Sequence, residues 1–286
     1  MNLKITVIND LLTTACYLAL FIGIIVLSGK VRNKLSPYHL EKELVVNDNP
    51  AVAIALCGYY AGVTTVFLGS LWGGSSGNLW LDLLQVGLYG ALGILFINLS
   101  RTFNDRLILH RLSISGHLVE KRSIGVGAAL GATYLATGLI AGGAIYGEGG
   151  GIVSALVFFA LGQISLAVFS HIYNFFLPFN IHDELNADNP AAGIAFGGAM
   201  AALGIVIMAS ASGDLTDWKN DLTAFGLSNL TAFIFLPLLR RMMDQLPISG
   251  RSLSKEIKED RNCGAALIQA TGLVCFSAVL ALLLGA

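Results

Sequence analysis

Charge is scarce in this chain. Asp, Glu, Lys and Arg make up 12% of its 286 residues, about half the share in a soluble globular protein. So few charges cannot solvate the surface of a chain this long, and a hydrophobic share of 55% must face something other than water. The net charge of −1 supplies no basic field, which excludes nucleic acid as a partner.

Other absences narrow the chemistry. The four cysteines, Cys16, Cys57, Cys263 and Cys275, form no CxxC pair and have no metal-ligand spacing. They read as small packing residues in apolar blocks. No HExxH helix, Ser-His-Asp order, paired catalytic carboxylates or phosphate-loop Lys-Ser/Thr occurs. The expectation is a protein that is not an enzyme and holds no cofactor and no metal. Short alternating segments between regular turns are missing, which argues against a membrane β-barrel. A cleavable leader is not expected either: the first apolar block lacks a small-residue cleavage site and runs into a basic loop.

What is present is a series of apolar blocks, at about 11–28, 50–71, 80–99, 124–146, 152–176, 190–211, 222–239 and 263–285. Most reach the roughly twenty residues that cross a bilayer as helix. Basic residues separate cleanly between them. The first loop holds Lys30, Arg32, Lys34 and Lys42, and the third holds Arg101, Arg106, Arg111, Lys121 and Arg122. The seventh holds Arg240, Arg241, Arg251, Lys255, Lys258 and Arg261. With eight crossings all fifteen lie on one side, and the other side keeps only Lys4 and Lys219. The positive-inside rule makes the basic side cytoplasmic and puts both termini on the opposite side.

The blocks repeat. Pro37-Tyr38 through Glu43-Leu44 to Asp48-Asn49-Pro50-Ala51 is matched by Pro178-Phe179 through Glu184-Leu185 to Asp188-Asn189-Pro190-Ala191. Asp82-Leu83 with Gly87 parallels Asp221-Leu222 with Gly226, and Arg101 with Asp105 parallels Arg240 with Asp244. Ile114-Ser115-Gly116 parallels Ile248-Ser249-Gly250. The fold expected is an all-α integral membrane protein of about eight transmembrane helices, as two parallel four-helix repeats over residues 1–146 and 147–286. A fainter echo lies inside each half. Four helices open near Asn49, Ser123, Asn189 and Asn262, each followed by Ala or Gly at helical spacing, which lets backbones approach closely in lipid.

Asp48-Asn49-Pro50-Ala51, Asp188-Asn189-Pro190-Ala191 and Asp260-Arg261-Asn262 ahead of Gly264-Ala265-Ala266 resemble the YjfL-like family, a domain-of-unknown-function family of bacterial membrane proteins. The resemblance covers about residues 37–286 as two units in tandem, with Ser123 in place of Asn. It implies a bacterial inner-membrane location, hints at a membrane partner role near envelope stress, and implies no activity.

Three polar groups are candidates. Asn49, Ser123, Asn189 and Asn262 are either helix caps or the lining of one cytoplasmic mouth. Asp82 and Asp221, with Glu148 in the Gly147–Gly151 turn, are either carboxylates favoured by helix dipoles or an acidic outer vestibule. His171, with Asn174, Gln163 and Gln269, is either a buried polar site or a set of interhelical hydrogen bonds. Glu43, Glu184 and His182 sit in cytoplasmic loops that suit docking.

Two functions stay open. One is a channel or transporter for a small solute or ion, since duplicated membrane folds place pathways at repeat interfaces. The other is a membrane scaffold that recruits a cytoplasmic partner at its basic loops or organises lipid in an envelope-stress response. Besides the lipid bilayer, the Ala/Gly faces permit a homo-oligomer. The topology has a direct check: tags at either terminus should react with an impermeant reagent in intact cells stripped of outer envelope, and labelling only after lysis would reverse the orientation.

Overall fold

The computed structural model describes residues 2–73, 76–146, 151–245 and 252–284, with side-chain environments from Asp10 onward. Its described residues form helices and no strand. Eight helices are long and apolar enough to cross a membrane: α1 (Asn2–Leu35), α2 (Pro50–Leu71), α3 (Leu79–Leu107), α4 (Ile124–Ile145), α5 (Gly151–Phe176), α7 (Pro190–Ala211), α8 (Trp218–Asp244) and α10 (Cys263–Leu284). Two short helices, α6 (Ile181–Asn186) and α9 (Leu253–Lys258), precede α7 and α10. Short π-helical turns at Lys42–Val46 and Gly116–Glu120 precede α2 and α4 in the same way.

The protein is thus a polytopic all-α membrane protein. The apolar blocks locate α2, α4, α5, α7 and α10 to within a residue or two, but they cut α1, α3 and α8 short. These three run on past their apolar stretch on the basic face. Lys30, Arg32, Lys34, Arg101, Arg106, Arg240 and Arg241, assigned to loops by hydropathy, are helical. A basic side chain near a helix C-terminus suits the dipole, so nothing in those residues stops the helix.

Four helices make an inner row. α2 packs on α4, α4 on α7, and α7 on α10; α3, α5 and α8 lie outside and straddle the seams, while α1 packs on α2 and α3 at one end. The row is built by glycine. Gly58 meets the backbone of Gly131, Gly62 that of Tyr134, and Gly193 that of Gly125, while Gly198 meets Ala270. A methyl placed on Gly131 would lie 2.8 Å from the Ile54 carbonyl oxygen, inside van der Waals contact. In lipid there is no hydrophobic drive between helices, so this close backbone packing is the main source of cohesion.

Each inner helix is entered in one way. A short helical turn is followed by a residue in the left-handed region: Asp48 (φ 46°), Arg122 (52°), Asp188 (55°) and Arg261 (49°). The next residue is the cap: Asn49, Ser123, Asn189 or Asn262. The left-handed region costs a non-glycine residue about 1 kcal/mol, and Asp bears it better than Arg. The cap N–H then reaches back to the entry turn, at the carbonyls of Glu43, His117, Glu184 and Glu256. The fourfold echo is therefore present in the backbone as well as in the sequence.

The packing separates two glycine substitutions. Gly131→Ala should lower the thermal midpoint in detergent, with an overpacking cost of about 1–3 kcal/mol. Gly23→Ala, in open space on α1, should leave or slightly raise it. Equal effects would remove the argument for the row.

Candidate functional site

Despite the scarcity of charge, two arginines, Arg32 and Arg240, are buried among the helices. Arg32 is 3% exposed in the last turns of α1. Its guanidinium carbon lies 5.8 Å from the Tyr59 ring centre on α2 and 5.1 Å from that of Tyr134 on α4. Two aromatic faces are a favourable place for a desolvated cation. Arg32 Nη1 has no hydrogen-bond partner among the described residues.

Polar groups gather around it. The Tyr59 hydroxyl donates to the Ser28 carbonyl at 3.1 Å and accepts from Asn98 Nδ2 at 3.0 Å. Asn104 Nδ2 donates to Thr137 Oγ1 at 3.1 Å. The outer oxygens of these groups are unmatched: Asn98 Oδ1, Asn104 Oδ1, Asp105 Oδ1 and the Tyr134 hydroxyl are buried without partners among the described residues. Asp105 Oδ2 is 3.6 Å from Arg101 Nε, and Arg101 Nη1 donates to the Leu35 carbonyl at 3.1 Å. A pocket of about 450 Å³ opens beside them, lined by Leu35, Pro37, Asn98, Arg101, Asp105 and Arg106 among others. Next to it, burial pushes the Tyr38 phenol above its ordinary pKa, against the pull of Arg32 and Arg101, so it stays a neutral donor.

The second half has the matching residues, Arg240 and Asp244, but each is engaged by Ser254 and they form no ion pair with each other. Arg240 donates to Ser254 Oγ, and Asp244 Oδ1 accepts from the Ser254 N–H at 2.6 Å, so α9 sits over the pair. The position matching Arg32 is Tyr173, whose hydroxyl accepts from Gln269 Nε2 at 2.9 Å. Both halves bury an arginine, Arg32 and Arg240, but Arg32 lies near an open pocket while Arg240 is engaged by Ser254; Arg240 Nε, Asn229 Oδ1 and Gln269 Oε1 are also without partners among the described residues.

The residues singled out in the sequence fall as follows. The four caps stand along the row, not around one mouth, because their helices pack in sequence and α2 and α10 form its ends. Asn49 Oδ1 accepts from the Ala51 N–H, and its Nδ2 donates to Glu43 and, at 2.8 Å, to the Leu118 carbonyl. Asn189 does the same with Glu184 and the Ile257 carbonyl at 2.9 Å. Asn49, Ser123 and Asn189 are buried; Asn262 is exposed. Asp82 and Asp221 lie in first turns, where they accept N–H groups of Ser76 and of Thr216 and Asp217. Asp221 also lines an opposite-face pocket of about 210 Å³ with Tyr146, Ser212 and Asp214. Glu148 lies outside the described residues.

Gln163 is buried in α5 with both amide atoms unpartnered among the described residues, whereas Gln269 bridges α10 to Tyr173. Asn174 staples its loop by accepting from the Ile181 N–H at 2.8 Å, as Asn33 does from Leu40 at 3.3 Å. His171 is exposed, but its ring lies 5.7 Å from that of His110, which lies 4.7 Å from that of His182. His171 and His182 lie near each other in the chain, but His110 is distant in sequence, so no spacing could announce the three together. Among the described residues no group of three His, Cys, Asp or Glu side chains is arranged to hold a metal. Arg32, Asn98 and Asn104 were not singled out at all. The signal available was a lone Asn inside an apolar block, at position 98.

A family model described as Domain of Unknown Function (DUF350) matches the chain twice, over residues 6–145 and 149–284. No curated protein and no solved structure matches it.

The histidine cluster sets a pH dependence. Burial first, then the nearby His110, Arg111 and His171, lower the His182 pKa below 6.5, while the Ile108 carbonyl at 2.8 Å works the other way. The unfolded chain then binds the proton more readily, so this contribution is complete above pH 6.5 and is lost as pH falls toward the folded value. The thermal midpoint should drop between pH 7.5 and 5.5, and His182→Gln, which keeps a donor for Ile108, should flatten that drop. An unchanged slope would assign the dependence elsewhere.

Proposed function

The chain belongs to the DUF350 family as a tandem of two units, and on that premise we propose that it transports a small anionic solute across the bacterial inner membrane. In this reading the basic face is cytoplasmic, the pocket at Arg101 and Asp105 of the first unit is the loading site, and no covalent chemistry is done. The observation that carries it is the contrast between units. The Arg101–Asp105 pair is open to a pocket, whereas Arg240 and Asp244 are both engaged by Ser254.

Physical reasons support the choice of ligand. Leaving a buried polar atom unpaired costs about 1–3 kcal/mol, so a cluster of them is retained where a ligand completes it. The pocket is lined by two arginines, Arg101 and Arg106, against one carboxylate, Asp105, so its surplus is positive; the buried Arg32 also acts on Asp105 from outside the lining. The seam between α1, α2 and α3 also ends in a second small polar pocket on the opposite face, lined by Tyr17, Ser70, Asp82 and Gln85. Between the two pockets Ile24 packs on Gly90 and Val66 on Gly93. Side chains resting on glycine make a closure that small helix movements can relieve.

A second reading, a scaffold that organises anionic lipid or recruits a cytoplasmic partner, is favoured by the solid inner row and by the fifteen basic residues of one face. One experiment separates the two. Full-length protein in liposomes should take up inorganic phosphate or acetate faster than empty vesicles. Arg101→Gln should slow this about tenfold, as expected for losing one charged hydrogen bond, while Lys258→Gln should not. Uptake no faster than in empty vesicles, with anionic lipid retained through purification, would replace transport by the scaffold.

A further inference from the structure

The inner row stops at both ends without being finished. Asn49 corresponds to Asn189 and Ser123 to Asn262, and stepping along the helices pairs Gly58 on Gly131 with Gly198 on Ala270. The joint within one unit is thus made twice. The joint between units, α4 on α7, is made once. On α4 it uses Gly125, Ala128, Ala132, Ala136, Leu139 and Gly143; on α7 it uses Asn189, Gly193, Gly197, Gly204 and Met208.

The counterparts of these faces are the two free ends. On α10 they are Gly264, Leu267, Thr271, Cys275, Ala278 and Leu282, and every one of them is exposed. On α2 they are Asn49 with Pro50, Ala53, Cys57, Thr64 and Leu68, of which Pro50, Cys57 and Leu68 are exposed. We propose that copies of this chain associate head to tail, with α10 of one seated on α2 and α1 of the next, repeating the α4–α7 joint.

Two further observations fit the same docking. The first is a groove. Between α1 and α2 lies an apolar groove of about 400 Å³, lined by Tyr17, Phe21, Thr64, Phe67, Leu68 and Leu71. The matching space between α5 and α7 is filled by α4: Ile140 lies against Gly162, Leu139 against Gly204, and Gly143 against Met208. The α10 residues that match Ile140 and Gly143 are Val279, 57% exposed, and Leu282, 74% exposed. They are the side chains that would fill the groove of the next copy.

The second is the last cap. Asn49 and Asn189 each donate Nδ2 across the row to a carbonyl in the entry turn of the next helix, at Leu118 and Ile257. Asn262 caps its own helix and donates to Glu256, yet it is exposed where the other three caps are buried. The acceptor that corresponds to Leu118 and Ile257 is the Leu44 carbonyl of a second copy. A contact between unlike surfaces continues until rotation closes it into a ring or leaves it open. This inference does not depend on what is transported, or on transport at all.

Crosslinking in native membranes tests it with the full chain. The pair Gly197 and Ala132 stands for Cys57 and Thr271 across the proposed joint, and a Gly197 Cβ would lie 2.8 Å from Ala132 Cβ. That separation falls within disulfide range after slight adjustment. In a chain carrying C16S, C263S and C275S, adding T271C should give an oxidation-dependent ladder of dimers and larger species through Cys57. The two positions lie at opposite ends of one row, so the bond must join two chains. L238C on the outer face of α8, in place of T271C, should stay monomeric. A disulfide dimer that survives C57S would mean α10 meets α10, a ladder from L238C would mean random collision, and either overturns the proposal. Ala61→Trp, on the exposed α2 stripe, should reduce the wild-type mass in nanodiscs to a single chain without lowering the thermal midpoint. Wild-type protein that is already a single chain in nanodiscs and gives no T271C ladder would overturn it as well.

Discussion

Backbone contact between glycine-rich helices is the constraint on which the rest depends. Helices that approach this closely leave no room for side chains in the seam, so α2, α4, α7 and α10 must each present Gly or Ala on their contact faces. Larger apolar groups are driven outward, onto α1, α3, α5 and α8 and into the lipid. The same closeness brings the helix starts together on one face, where each cap reaches the neighbouring entry turn. The polar edge of the row is therefore a product of its apolar middle.

Against this regular frame the two units have diverged. Tyr59 and Tyr134 are large residues in a row of small ones, and they matter because Arg32 needs aromatic faces at that depth. Their counterparts in the second unit, Ala199 and Leu273, offer no such surface. There a tyrosine and a glutamine replace Arg32, and Ser254 engages both Arg240 and Asp244. The two units thus share a frame and differ in what they bury at matching positions: Arg32 between two tyrosine rings in one, Tyr173 bonded to Gln269 in the other.

Much of the fold was legible in the sequence. Block length gave eight helices, the Asp-Asn-Pro-Ala repeat gave the tandem, and the Ala/Gly spacing gave the inner faces. The site was not legible for a physical reason. Arg32 sits among Lys30, Lys34 and Ser28, a run that hydropathy reads as the start of a loop. Its burial depends on rings contributed by α2 and α4. The caps were found individually, but their order along a row required knowing which helix packs on which. The histidine cluster joins His110 to two residues of the second unit, and no local pattern carries that.

The row also bears on how such proteins are finished. Soluble solenoids stack identical modules along one dimension, and their stability is close to a sum over nearest neighbours. They need terminal modules with a polar outer surface, because an uncapped end would expose apolar area to water. Here the end faces are largely apolar, so whichever end an array leaves uncovered can face acyl chains as apolar as leucine and needs no polar terminal module. An array of this kind can gain or lose a unit by gene duplication or truncation without having to evolve a new end.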